Sequence, residues 1–140
     1  MLNSGEKVVR DLLAAIDAQD FEKIASHLSS DFVLTVPGLA EGLKIDGLMQ
    51  AIKAHYNGFP DWIHLIDEII IQGDKIAIRV TQSGTHQGEY EGIPATLKKV
   101  TMAAMAVVTI EHGKVKEWWA VEDYLGLFTQ LGMELKPKQL

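Results

Sequence analysis

The stretch Gly113 to Asp123, GKVKEWWAVED, carries the residue types that most directly suggest chemistry. Read as a strand with period two, Val115, Trp119, Val121 and Asp123 point one way, and Lys116, Trp118, Ala120 and Glu122 the other. Asp123 therefore closes an apolar row. A carboxylate among tryptophan and valine side chains loses hydration, which disfavours its charged form and moves its pKa toward the range useful for proton abstraction. The same residue also fits a second role, because Tyr124 to Leu131 reads as a short helix and an aspartate just before a helix caps it.

Other chemistry finds less support. The histidines His27, His55, His64, His86 and His112 show neither HExxH nor i, i+4 ligand spacing, so no metal site is expected. Ser83, Thr85 and His86 crowd one strand or loop without a Gly-x-Ser-x-Gly elbow, which argues against serine hydrolysis. Neither a phosphate-cradling GxxxxGK loop nor a GxGxxG turn is present. With a formal net charge of -6, and basic residues that gather only in pairs such as Lys98–Lys99 and Lys136–Lys138, nucleic acid is an improbable partner. Phe59, Trp62 and Trp119 are large enough to stack on an aromatic ligand or to fill a core.

The elements that must position these residues follow from periodicity. At 140 residues, 47% hydrophobic and 23% charged, the chain has the make-up of one compact domain over 1–140. The absence of cysteine excludes disulfides and thiolate chemistry, and the N-terminus lacks the pattern of a signal peptide; together with the absence of a membrane-length apolar run, this reads as a cytoplasmic protein without a membrane partner. Asn3 and Glu6 have capping-box spacing ahead of the stripe Val8, Val9, Leu12, Leu13 and Ile16. Asp20 can cap a second helix carrying Phe21, Ile24, Ala25 and Leu28, and Phe32 to Val36 reads as a short strand. A third helix from Asp46 presents Leu48, Met49, Ile52, His55 and Tyr56, with Asn57 and Gly58 as a left-handed stop.

After Pro60, β-rich runs separated by glycine turns predict an antiparallel plan: Trp62 to Ile71, Lys75 to Thr85, Leu97 to Ile110 and Val115 to Asp123, with Gly84 to Pro94 looped. The register of the last hairpin stays open, because a two-residue and a three-residue turn differ by one position and flip the inner face. The run TMAAMAVVTI is apolar on both faces, so one face can line a core or cavity while the other packs on helices or a second subunit of a homo-oligomer. Ala103, Ala104 and Ala106 beside Met102 and Met105 leave room next to Trp119 for an apolar ligand, unless the helices fill it.

Several pieces of wording carry a resemblance: Phe59-Pro60-Asp61, Gly84-Thr85-His86, Gly88-Glu89-Tyr90, Gly92-Ile93-Pro94, Gly113-Lys114-Val115, and Glu117 through Trp119 to Asp123 followed by Leu131-Gly132. In combination they resemble the SnoaL-like polyketide cyclases of the nuclear-transport-factor-2-like superfamily. The resemblance implies an α+β, cone-shaped barrel of three N-terminal helices packed on a curved antiparallel β-sheet.

It further implies a cofactor-independent, metal-free cyclase or isomerase acting on a hydrophobic polyketide-like or other carbonyl compound, with Asp123 as general acid/base. His86 matches the family's GTH motif, as a carbonyl ligand or a loop-shaping residue. Arg79 matches a common family position, where it would stabilise an enolate or form a salt bridge. Trp119, Met105, Phe59, Trp62 and Tyr56 complete the expected substrate-binding set. A non-catalytic ligand-binding or oligomeric interaction domain on the same scaffold is the alternative. The polar complement looks reduced, since the first strand ends Leu34, Thr35, Val36, Pro37 and Trp118 stands where a histidine commonly precedes the tryptophan. Ketosteroid isomerase chemistry finds Leu12 and Val36 where it would want a tyrosine and an aspartate. A limonene-epoxide-hydrolase-like triad finds Thr81 where it needs an acid.

Overall fold

The computed structural model describes residues 3–38 and 41–139. Helix α1 (Ser4–Asp17) starts where expected: the Asn3 side chain accepts from Gly5 N at 2.8 Å and Glu6 N at 3.3 Å. Glu6 does not reach back to complete the box; it pairs with Arg10 one turn on. Helix α2 (Phe21–Ser26) is capped by Asp20 and is shorter than its apolar stripe implies. Leu28 leaves it to open strand β1 (Leu28–Thr35), where pairing with Val115 satisfies backbone groups that another helical turn would not.

Helix α3 (Ile45–Gly58) lays Leu48, Ile52 and Tyr56 into the core at i, i+4 and i+8. Gly58 is not the left-handed stop expected of it, for the positive-φ residues do not include it. Its missing side chain serves packing instead, since a Cβ there would lie 2.9 Å from Cβ of Tyr90.

Strands β2 (Ile63–Gln72), β3 (Lys75–Thr85), β4 (Lys99–Glu111) and β5 (Lys114–Glu122) form an antiparallel meander, and helix α4 (Tyr124–Gln130) follows. The sheet order is β1-β5-β4-β3-β2. The expected antiparallel plan holds for these four, but β1 joins β5 in parallel, which brings the helical N-terminal half over one sheet face. On that face β4 buries Val100, Met102, Ala104, Ala106 and Val108, with every intervening residue exposed.

The β4–β5 hairpin resolves the open register. His112 and Gly113 make a two-residue turn with φ of 51° and 75°, the left-handed pair a tight hairpin needs. Past the turn, Ile110 opposes Val115 but Thr109 opposes Glu117, so Lys116 is one extra residue on β5. That bulge reverses the side-chain alternation for the rest of the strand.

Candidate active site

Because of the bulge, Trp118, Ala120 and Glu122 face the helices, whereas Trp119 and Val121 face away, 38% and 46% exposed. The expectation that Asp123 ends an inward apolar row is therefore corrected. Asp123 is exposed and caps α4, its Oδ1 accepting from Gly126 N at 2.9 Å. The inward carboxylate is its neighbour, Glu122.

Between sheet and helices lies a cavity of about 510 Å³. Leu12, Leu13 and Ile16 of α1 and Leu48, Ile52, His55 and Tyr56 of α3 form one wall; Val80, Met102, Ala104, Ala106, Trp118 and Ala120 form much of the other. Polar groups cluster on the sheet side. Trp62 Nε1 donates to Gln82 Oε1 at 2.9 Å, which orients the amide so that its Nε2 points to Glu122 Oε1 at 3.5 Å. This second contact is long, as site hydrogen bonds often are before a ligand closes on them. Burial and the adjacent Glu122 carboxylate push the Tyr124 hydroxyl above its usual range. Burial, then Glu91 and Glu122, pushes Tyr90 up to about 12. These phenols stay protonated at neutral pH.

His55 lines the same cavity within an aromatic cluster, 4.4 Å from the Trp62 ring and 5.1 Å from Phe59, and burial, then His64, lowers its pKa to about 4. It is a neutral imidazole. The lining residues include no lysine or arginine, so a bound anion would find no counter-charge.

The remaining expected site residues divide. Trp62 and Tyr56 line the cavity, Tyr56 donating its hydroxyl to the Trp62 carbonyl at 3.0 Å. Met105 borders it, with a side chain 57% exposed on the outer face. Of the two roles expected of Arg79, the substrate-side one is corrected and the salt bridge is present: the residue lies on that outer face, 3.6 Å from both Asp67 and Glu68, because β3 alternation turns it opposite to Val80. Phe59 and His86 are fully buried outside the lining, their rings stacked 5.2 Å apart. His86 Nδ1 accepts from Thr96 N at 3.1 Å and lies 2.9 Å from Thr96 Oγ1, so it ties the Gly84–Pro94 loop to the segment that leads into β4.

Two of the resemblance-bearing motifs, Phe59-Pro60-Asp61 and Gly84-Thr85-His86, meet in that corner. Asp61 accepts from Thr85 N at 2.7 Å and Thr85 Oγ1 at 2.8 Å. A Cβ on Gly84 would lie 2.7 Å from Trp62 Cε3, and one on Gly88 would collide with the Asn57 carbonyl. Close backbone approach explains both glycines. Sequence reasoning missed Gln82, Glu122, His64, His55 and Asp17. A polar Gln82 on the buried side of the apolar alternation Ile76, Ile78, Val80 was the one available signal.

Helices on one face of a curved sheet around an apolar cavity define the nuclear-transport-factor-2-like α+β class. The model of the SnoaL-like polyketide cyclases matches residues 6–131, and the chain belongs to that family. No curated protein matches it. Among solved structures it is similar to TsrD from Streptomyces laurentii, at 28% identity and TM-score 0.80 over 94% of this chain and 98% of that one. AclR, a candidate hydroxylase from Streptomyces galilaeus, shares 26% identity, with TM-score 0.83 over 91% and 95%. IdmH, a candidate polyketide cyclase from Streptomyces antibioticus, has TM-score 0.86 over 94% and 100%, and at 23% identity it speaks for the fold alone.

Proposed function

We propose that the chain is a cofactor-independent cyclase or isomerase of a hydrophobic, polyketide-like carbonyl compound, with Glu122 rather than Asp123 as its acid/base. The observation that carries this reading is the placement of the Glu122 carboxylate at the end of the Trp62–Gln82 chain on an apolar cavity wall. Glu122 removes a proton from a carbon between two carbonyls, and the C–H electron pair passes into an enolate. The enolate carbon attacks a further carbonyl of the same molecule, beyond the two that flank it, and the new alkoxide takes the proton back from Glu122. Tyr124 and Gln82 are the neutral donors beside the carboxylate.

The test is turnover of a panel of apolar 1,3-dicarbonyl esters that each carry a further ketone within ring-closing reach. Glu122→Gln is expected to lower kcat by roughly 10²–10⁴-fold, and Asp123→Asn to leave it near native. Native turnover in Glu122→Gln sinks the acid/base reading. Binding of the panel with no turnover in any form selects the non-catalytic alternative.

The outer sheet face supports a homodimer. Met105 opposes Val121 and Val107 opposes Trp119, all exposed, while Arg79, Asp67 and Glu68 on the neighbouring strands supply both charge signs. Such a patch complements itself across a two-fold axis. Sedimentation is expected to show a dimer that Met105→Lys with Val121→Lys converts to monomer; a native monomer at micromolar concentration refutes it.

A further inference from the structure

His64 and Asp17 form a pair that the cyclase reading leaves unused. Asp17 ends α1 and His64 is the second residue of β2. The His64 ring Nδ1 lies 2.6 Å from Asp17 Oδ1, and the His64 backbone N–H donates to Oδ2 at 3.4 Å. A helix C-terminus disfavours a carboxylate, and here two donors from one residue of β2 hold it there. The side chains are 13% and 26% exposed, enough shielding to strengthen a charge-assisted bond.

A carboxylate only accepts, so the proton in this bond sits on Nδ1, and in the neutral ring Nε2 keeps its lone pair. His64 lines the cavity, and among the described residues its ring bonds Asp17 alone, through Nδ1. Its position on the sheet places it in a row. His64 opposes Gln82 across β2 and β3, and the Gln82 amide reaches Glu122 from β5. The three form a polar line over a wall that is otherwise apolar, with an acceptor at each end.

We propose that His64, its tautomer set by Asp17, is the cavity's acceptor for a substrate hydroxyl, so that the ligand is a hydrophobic phenol or enol rather than a hydroxyl-free ketone or ester. Asp17 is a positioning residue. The proposal rests on the cavity being the ligand site, but not on proton transfer by Glu122.

The probes are 2-naphthol and 2-methoxynaphthalene, equal in apolar body and different in the one donor. Titration by intrinsic fluorescence is expected to show 2-naphthol binding about tenfold more tightly, the size of one such hydrogen bond. His64→Phe is expected to abolish that preference while 2-methoxynaphthalene still binds, which certifies the fold of the variant. Asp17→Leu is expected to reduce the preference to about two- or threefold. The ¹⁵N resonance of His64 Nε2 should move with 2-naphthol and stay put with the methyl ether, a response that a purely structural ion pair would not give. A preference that survives His64→Phe overturns the proposal. So does one that vanishes in Glu122→Gln alone, which would assign the hydroxyl to Glu122 and leave the acid/base reading standing. Failure of both probes to bind the native chain overturns both readings. Full turnover in Glu122→Gln with the preference still lost in His64→Phe removes the acid/base reading and keeps this one.

Discussion

The corner built by Phe59-Pro60-Asp61 and Gly84-Thr85-His86 contrasts with the cavity wall of Gln82, Glu122 and His64. The corner carries the recognisable wording and is closed: Phe59 and His86 are fully buried, and Asp61 ties down Thr85. On the wall only Glu122 falls inside a motif, the Glu117 to Asp123 wording; Gln82 and His64 belong to none, and all three line the cavity. The recognisable residues of the corner maintain a shape, and the residues placed to meet a ligand are those the shape brings together.

Two classes of variant sharpen this contrast. Phe59→Ala is expected to cost ~3–5 kcal/mol of stability, because it removes a fully buried ring stacked among His55, Trp62, His86 and Tyr90. Urea unfolding measures this, and a loss below 1 kcal/mol would break the assignment of the corner to packing. Glu122→Gln should instead unfold at nearly the native urea midpoint while turnover falls.

An effect of intermediate size comes from His55. Its folded-state pKa of about 4 lies below the unfolded value of 6.5, so the unfolded chain binds more protons between these values. The stability that neutral His55 contributes is fully present above pH 6.5 and is lost progressively as the pH falls toward 4. By pH 5 the loss from this group is on the order of 2 kcal/mol. Chemical unfolding at pH 7 and pH 5 should show this difference, reduced in His55→Leu; an undiminished slope in the variant would assign the acid sensitivity to other groups.

The smallest effect belongs to the residue most prominent in the sequence. Asp123→Ala is expected to cost ~1 kcal/mol of stability through the lost α4 cap, with turnover unchanged. Thermal unfolding and the dicarbonyl assay together measure it, and a large loss of turnover would return Asp123 to the chemistry.

Much of the fold is legible in the sequence. The stripe Val9, Leu12, Leu13 marks α1, the run Lys75 to Thr85 matches β3, and His112-Gly113 marks a hairpin. These signals are local: helical spacing, alternation and left-handed turn residues act within a few positions. The site was hardly legible. Trp62 and Tyr56 of the expected substrate-binding set do line the cavity, whereas period-two alternation puts Trp119 and Asp123 on the wrong face; the cap expected of Asp123 and the salt bridge expected of Arg79, each the second of two roles, are both present.

By itself, then, the sequence determined the helices, the β-rich second half, the apolar character of β4 and the family. Tertiary structure decided which side of β5 faces the cavity. Alternation has period two, so one inserted residue reverses everything beyond it; at Lys116 that insertion carries no glycine or proline to announce it. The His64–Asp17 pair was equally beyond reach, since its partners stand 47 positions apart and meet only because α1 packs against β2. Contacts over such distances depend on how the whole chain closes, and no local pattern encodes them.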